Sequence, residues 1–249
     1  MVSEMLEMIL KSEFDGVYRV VPFSDDVWRI DGVLRDDAGV TDHDLGEQRM
    51  FLRLIQRDHP DDWRPRRCVR EANALDWLEG VEGVTAPLLI RHREREQCAY
   101  TMTGSLPGVS VAAAKTLNQE IDPHSFGYQV GRMLGNVHRV RMPRFGYFDP
   151  DKRYAGSWNN LVRYRVRSAL MDMGTRLPSG TKAMIGALIS RVSFPESDPR
   201  LLHHDIHEGN LLQQEGKLTG IVDWTHAIGG DPESDVALAF DGNSDRYRT

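Results

Sequence analysis

The run Leu202-His203-His204-Asp205-Ile206-His207-Glu208-Gly209-Asn210 places a carboxylate, Asp205, and a carboxamide, Asn210, on what must be one tight turn. An apolar stretch, Leu218-Thr219-Gly220-Ile221-Val222, then ends in a second carboxylate, Asp223, followed by Trp224. One base and two hard oxygen ligands are what phosphoryl transfer between oxygens requires. The base takes the proton of the attacking hydroxyl, and the ligands hold Mg²⁺ against the phosphates. Asp205 is therefore the candidate catalytic base, and Asn210 and Asp223 are the candidate metal ligands. Each taken alone is an ordinary turn former, because Asp and Asn bond their own backbone in turns. A turn, however, does not call for a carboxylate at the end of the strand that follows it. His203, His204 and His207 with Asp205 could instead be read as a transition-metal cluster. A catalytic zinc site needs about three converging ligands with supporting hydrogen bonds, and the sequence offers no second His/Asp cluster to complete one.

The same run resembles the aminoglycoside phosphotransferase family, whose loop reads His-Gly-Asp-x-His-x-Gly-Asn and whose next strand ends in Ile-Asp-Trp or Val-Asp-Phe. His203, Asp205, His207, Gly209 and Asn210 match, as does Val222-Asp223-Trp224, while His204 stands where the pattern has glycine. Gly230-Asp231-Pro232-Glu233-Ser234-Asp235-Val236-Ala237 is similar to the family's Gly-Asp-Pro segment that leads into a helix. The resemblance runs from about residue 17 to residue 240 and is densest over 202–240. It implies an α+β, two-lobed, protein-kinase-like fold: an N-lobe over residues 1–103, with an antiparallel sheet and one helix, and a mainly helical C-lobe over 104–249. It implies transfer of the γ-phosphate of ATP, or GTP, to a hydroxyl of a small molecule with Mg²⁺, foremost an aminoglycoside or another antibiotic. A metabolic kinase acting on choline, homoserine or a sugar would carry the same loop. A catalytically silent nucleotide-binding module is the alternative of a different class. His203, His207 and Asp235 are implied as supports of the loop.

Such an N-lobe needs a cation on a strand to hold phosphates, yet no lysine lies between Lys11 and Lys115. Arg53, inside Met50-Phe51-Leu52-Arg53-Leu54-Ile55, is the well-placed cation, and arginine fills this place in relatives of the macrolide phosphotransferase type. Glu71, on the following helix, would be its partner. A guanidinium can bridge phosphate and carboxylate through its fork. Neither G-x-G-x-x-G nor G-x-x-x-x-G-K-[ST] occurs, so phosphates fall to the loop at residues 23–26, where Ser24 could donate but Asp25 and Asp26 would repel. The nucleotide base is expected against the main chain near Met102, Thr103 and Ser105. The acceptor pocket is expected from helices over 154–176 and from acidic residues such as Asp231 and Glu233.

The elements that must position these groups follow from periodicity. Residues 1–11 read as an amphipathic helix, 17–21 and 27–30 as a hairpin, 31–48 as a polar, mobile connection, and 50–55 as a buried strand. A helix over 67–78 sets Val69, Ala72, Leu75 and Leu78 on one face and is closed by Gly80. Residues 87–90 and 99–102 read as two more strands, and 104–108 as a linker. Phe126, Val130, Met133, Leu134, Val137 and His138 mark one amphipathic helix, and 161–171 another. The formal net charge of -6 over 249 residues gives no electrostatic footprint for nucleic acid or an anionic membrane. No apolar run approaches the roughly 18 residues that cross a bilayer, and Glu4 and Glu7 sit where a signal peptide wants positive charge. A cytoplasmic protein is expected, with Cys68 and Cys98 reduced. No obligate protein partner is evident. The polar 241–249 tail ends too soon after Asp223 for a protein kinase's substrate helices, which favours a small-molecule acceptor.

Overall fold

A computed structural model describes residues 2–34, 48–59, 62, 64–148 and 156–240. Its first half is a five-stranded antiparallel sheet, ordered β1-β2-β3-β5-β4. The strands are β1 (Phe14–Ser24), β2 (Val27–Leu34), β3 (Gln48–Gln56), β4 (Leu89–Glu94) and β5 (Cys98–Gly104). Helix α1 (Val2–Glu13) covers one face and α2 (Arg66–Leu78) the other. Side chains alternate across a strand, and β3 shows the result. Met50, Leu52 and Leu54 join Ile9 and Leu10 of α1 in one apolar cluster, whereas Arg53 and Ile55 face α2. Arg53 pairs in register with Val27 on one side and Thr101 on the other. A slip of one residue would turn Arg53 into the α1 core, so the hydrophobic pattern fixes where this cation points.

Two strand boundaries differ from expectation for the same reason. β1 runs through Pro22 to Ser24, and β4 starts later than the apolar 87–90 run and takes in Arg91, His92 and Arg93. Both are edge strands, where a missing N–H is tolerated and charged side chains are at home. The expected connection over 31–48 is partly strand, since β2 reaches Leu34 and β3 begins at Gln48; residues 35–47 lie outside the described residues.

The second half is mainly helical: α3 (Val111–Thr116), α4 (Pro123–Val137), α5 (Trp158–Asp172), α6 (Ser179–Arg191) and α7 (Glu233–Phe240). Short strands β6 (Val109–Ser110), β8 (Leu211–Gln214) and β9 (Lys217–Ile221) form one ribbon, and β7 (Arg200–Leu202) pairs with β10 (Ile228–Gly230). Asp122 caps α4 by accepting from the N–H groups of His124 and Ser125 at 3.2 and 3.1 Å. Of the expected α4 face, Phe126, Val130, Met133, Leu134 and Val137 are buried, while His138 caps the helix and is half-buried. That face packs against Ala74, Leu75 and Leu78 of α2 and against Leu201, Ile206, Ile221 and Trp224, so the largest core draws on both halves of the chain. Cys68 and Cys98 are buried and unpaired. Among the described residues, no helix is long and apolar enough to cross a membrane.

β10 lies against the loop at Gly146, with main-chain bonds of 2.8 and 2.9 Å between Gly146 and Gly229 in both directions. A Cβ on Gly229 would stand 2.1 Å from the carbonyl oxygen of Arg144, which is backbone and cannot swing aside. Gly229→Ala should therefore lower stability by about 1–3 kcal/mol. Gly131→Ala, in open space on α4, should raise it by roughly 0.5–1 kcal/mol. Urea titrations measure both, and equal midpoints for the two variants would refute the close approach.

Candidate active site

The turn that follows β7 is held from behind by buried polar groups. His203 is wholly buried; its Nδ1 accepts from the Asp205 N–H at 3.2 Å and its Nε2–H donates to the Val222 carbonyl at 3.0 Å. This tautomer is assigned from the hydrogen-bond pattern. Burial pushes the imidazole pKa down, so the ring stays neutral. With both ring nitrogens committed to main chain, His203 has no lone pair left for a metal. Asp235, wholly buried on α7, accepts from the N–H groups of His203 at 2.9 Å and His204 at 2.7 Å, and meets His138 Nε2 at 3.0 Å. Burial alone would raise its pKa; the His138 hydrogen bond and the main-chain N–H of His204 work against that, and the pKa is lowered. His204 adopts φ 62, the left-handed region, which costs a non-glycine residue about 1–2 kcal/mol. Its N–H bond to Asp235 holds it there.

Asp205 rises from this base. Asn210 Nδ2 donates to the Asp205 carbonyl at 3.0 Å and to its Oδ2 at 3.3 Å, and His207 Nε2 lies 3.7 Å from the same Oδ2. Burial works against ionisation, but His207 and His226 lower the carboxyl pKa and leave it charged. The Val222 N–H donates to the Asn210 carbonyl at 3.0 Å, which sets Asn210 beside Asp223. Asp223 sits just past β9 at φ 63 and accepts from Thr225 Oγ1 at 2.7 Å. Against its burial, Arg53 brings its pKa down to about 2.

Arg53, only 9% exposed, touches three carboxylates. Nε meets Glu71 at 3.1 Å, Nη2 meets Asp223 at 3.0 Å, and Nη1 lies 3.4 Å from Asp26. Burial would lower its pKa; Glu71, Asp223 and Asp26 together raise it. Burial raises that of Glu71, with Arg53 pulling the other way. Asp26 also meets Arg67 Nη1 at 3.4 Å, while its carbonyl accepts from the Leu54 N–H at 2.9 Å.

The structure thus brings Arg53, Glu71 and Asp223 together on one side, and Asp205, Asn210, His203, His207 and Asp235 on the other. Ser24 Oγ lies 3.4 Å from Asp26 Oδ1, at the wall of a cavity of about 460 Å³ shared with Asp25, Arg64 and Arg67. Thr103 is on the Arg53 face of β5, but the Met102 side chain is buried on the opposite face with the α1 cluster. The N–H groups of Gly104 and Ser105 are already bonded, to Leu88 O at 2.9 Å and Arg49 O at 3.2 Å. Asp231 is buried, and its Oδ1 accepts the Glu233 N–H at 3.0 Å, a cap on α7. Sequence reasoning missed His138 as a partner of Asp235, Asp26 as a partner of Arg53, Arg67 and Thr225. Thr225 alone had a local signal, a hydroxyl two places after the key carboxylate.

A model of the phosphotransferase enzyme family (APH) matches residues 37–248. The chain belongs to this family. Among solved structures it is similar to a thermostable mutant of aminoglycoside phosphotransferase APH(4)-Ia in a ternary complex with ADP and hygromycin B. That match has TM-score 0.64 and 17% identity and covers 96% of this chain and 76% of that one. It is also similar to macrolide 2'-phosphotransferase MphH from Brachybacterium faecium, with TM-score 0.60, 19% identity and coverage of 98% and 79%. ADP-bound aminoglycoside phosphotransferase APH(2'')-Ib matches with TM-score 0.59, 14% identity and coverage of 98% and 77%. No curated protein matches significantly in sequence. The fold of this phosphotransferase is the two-lobed, kinase-like α+β arrangement.

Two imidazoles, one buried and one half-buried, set a pH dependence. His203 is held below its ordinary pKa, and His204 is brought down to about 4, first by burial and then by Arg165. Below about pH 6.5 the unfolded chain binds protons that these rings refuse, so stability must fall with pH, by at most ~1.4 kcal/mol per pH unit for each ring. His207, raised by Asp205, works the other way but is exposed. Urea midpoints should drop between pH 7 and pH 5; a flat or rising profile would contradict the burial of neutral rings.

Proposed function

We propose that this protein transfers the γ-phosphate of ATP, or of GTP, to a hydroxyl of a small molecule. The observation that carries the reading is the 3.0 Å contact of Arg53 with Asp223. It sets the strand cation of the sheet against the carboxylate that follows β9, beside the turn carrying Asp205. An N-lobe of residues 1–103 would contribute Arg53 and Glu71, with Ser24 and Thr103 lining the nucleotide side and Ser105 joining them just past its end. A C-lobe of 104–249 would contribute Asp205, Asn210 and Asp223. The neighbours solved with hygromycin B, gentamicin and streptomycin make antibiotics the first acceptors to try, with choline, homoserine and sugars next.

In this reading Asp205 accepts the hydroxyl proton as the acceptor oxygen bonds the γ-phosphorus and the bond from that phosphorus to the β–γ bridging oxygen breaks, releasing the nucleoside diphosphate. A carboxylate with a depressed pKa is a weak base, which suits a reaction whose transition state asks more for positioning than for proton abstraction. His207 and Asn210 orient it, and His203 and Asp235 keep its turn in place. Arg53, steadied at Nε by Glu71, would turn its Nη groups from Asp26 and Asp223 to the phosphates. Mg²⁺, when bound, supplies charge neutralisation at the β- and γ-phosphates. The residues fit a hard cation: Asp223 is held as an anion, and Asn210 turns its amide nitrogen to Asp205, leaving the Oδ1 for a metal. Such a site needs few protein ligands when phosphate oxygens complete it.

Incubation with ATP, Mg²⁺ and a panel of hydroxylated compounds, read by ADP release and product mass, tests the proposal. ATP binding without acceptor-dependent ADP release would support the silent-module alternative. Asp205→Asn should lower kcat by at least about 10²-fold with ATP affinity nearly unchanged, and near-normal turnover would remove Asp205 from this role. Arg53→Ala should weaken ATP binding and lower kcat, and Arg53→Lys should restore part of both. Glu71→Ala should lose less, and the Arg53/Glu71 double variant should be non-additive. Losses that simply sum in the double variant would show that the pair does not act as a unit.

A further inference from the structure

Two side chains beside Asp205 have no part in the scheme above. His204 keeps the left-handed backbone, φ 62, that glycine adopts freely, yet carries a ring. That ring meets Arg165 of α5, whose Nη1 lies 3.3 Å from Nδ1 and 3.2 Å from Nε2. Arg165 Cζ also lies 5.6 Å from the centre of the Tyr147 ring. Arg53, Arg64 and Arg91 each pair with at least one carboxylate. Among the described residues, none pairs with Arg165, although it is partly buried. A half-desolvated guanidinium without a counter-charge is unfavourable until an anion reaches it, and its planar fork suits carboxylate or phosphate. Two acidic side chains of the 230–237 segment are committed elsewhere. Asp231 caps α7, and Asp235 is buried under the turn.

We infer that the acceptor carries an anionic group, a carboxylate or a phosphate, in addition to its reactive hydroxyl, and that Arg165, seated against His204, binds that group beside Asp205. The inference rests on the phosphoryl-transfer reading of Asp205. Glycine at position 204 would hold the same backbone without strain but would leave Arg165 without its seat. A polycationic acceptor would meet the uncompensated charge of Arg165.

The test uses the full chain with Mg²⁺ and ADP present, so that the Arg53 side is filled, and measures binding of four probes by calorimetry: gluconate, glucose 6-phosphate, glucose and kanamycin. ADP release from ATP is measured with the same four. At least one anionic probe should bind at least tenfold tighter than glucose. Arg165→Ala should lose that advantage, Arg165→Lys should recover part of it, and ATP affinity should stay the same in both. Which anionic probe shows the dependence separates carboxylate from phosphate. His204→Gly should weaken binding of the anionic probe alone, with an equal or higher urea midpoint, an outcome that a purely structural histidine would not give. Arg165-dependent anion binding with no ADP release from any probe would support this inference and count against the phosphoryl-transfer reading. ADP release with kanamycin or glucose, and no Arg165-dependent anion binding, would overturn this inference and leave that reading standing. Absence of both would overturn it as well.

Discussion

One guanidinium, Arg53, is the common partner of carboxylates from three separate parts of the chain: the β1–β2 turn, helix α2 and the end of β9. Burying Glu71 is tolerable only because this cation is there, since a buried carboxylate without a partner would shed its charge. The sheet's register, the placement of α2 and the exit of the chain from β9 must all agree to bring these atoms within about 3 Å. Even so, three carboxylates outnumber the charges of Arg53 and Arg67 that face them.

The second half uses a different device, a turn fixed from beneath by neutral or paired groups that never face solvent. Asp235 satisfies two consecutive main-chain N–H groups, and His203 bridges Asp205 N to Val222 O. A fully satisfied buried network of this kind rigidifies what it holds. The carboxylate of Asp205 stands on this base and is held in turn by Asn210 and His207.

What could be read in the sequence divides along the same line. That Asp205, Asn210 and Asp223 come together was legible because one turn and the strand after it were each recognisable in the sequence. Arg53 and Glu71 were legible because a strand and a helix were each recognisable and no lysine competed. The faces of α2 and α4 were legible because a large core imposes its period. α6 was not, since none of its residues is buried and nothing imposes a pattern. β7 and β10 are three residues each, too short for alternation to show. His138, Asp26 and Arg165 matter through partners 97, 27 and 39 positions away. Each also has a bland local explanation, as the end of a helix, a turn or a solvated helix face.

The position of α2 bears on how the chain folds. Glu71 faces the sheet through Arg53, while Ala74, Leu75 and Leu78 of the same helix lie in the core built by α4, Ile221 and Trp224. A fragment ending before the second half would expose those three side chains and lose the surface that keeps α2 helical, because short helices owe their stability mainly to packing. The two halves are therefore one cooperative unit through this helix. Any change that loosens the Trp224 core is transmitted along α2 to the ion pair on the sheet, so folding and the geometry of the Arg53 cluster cannot be tuned independently.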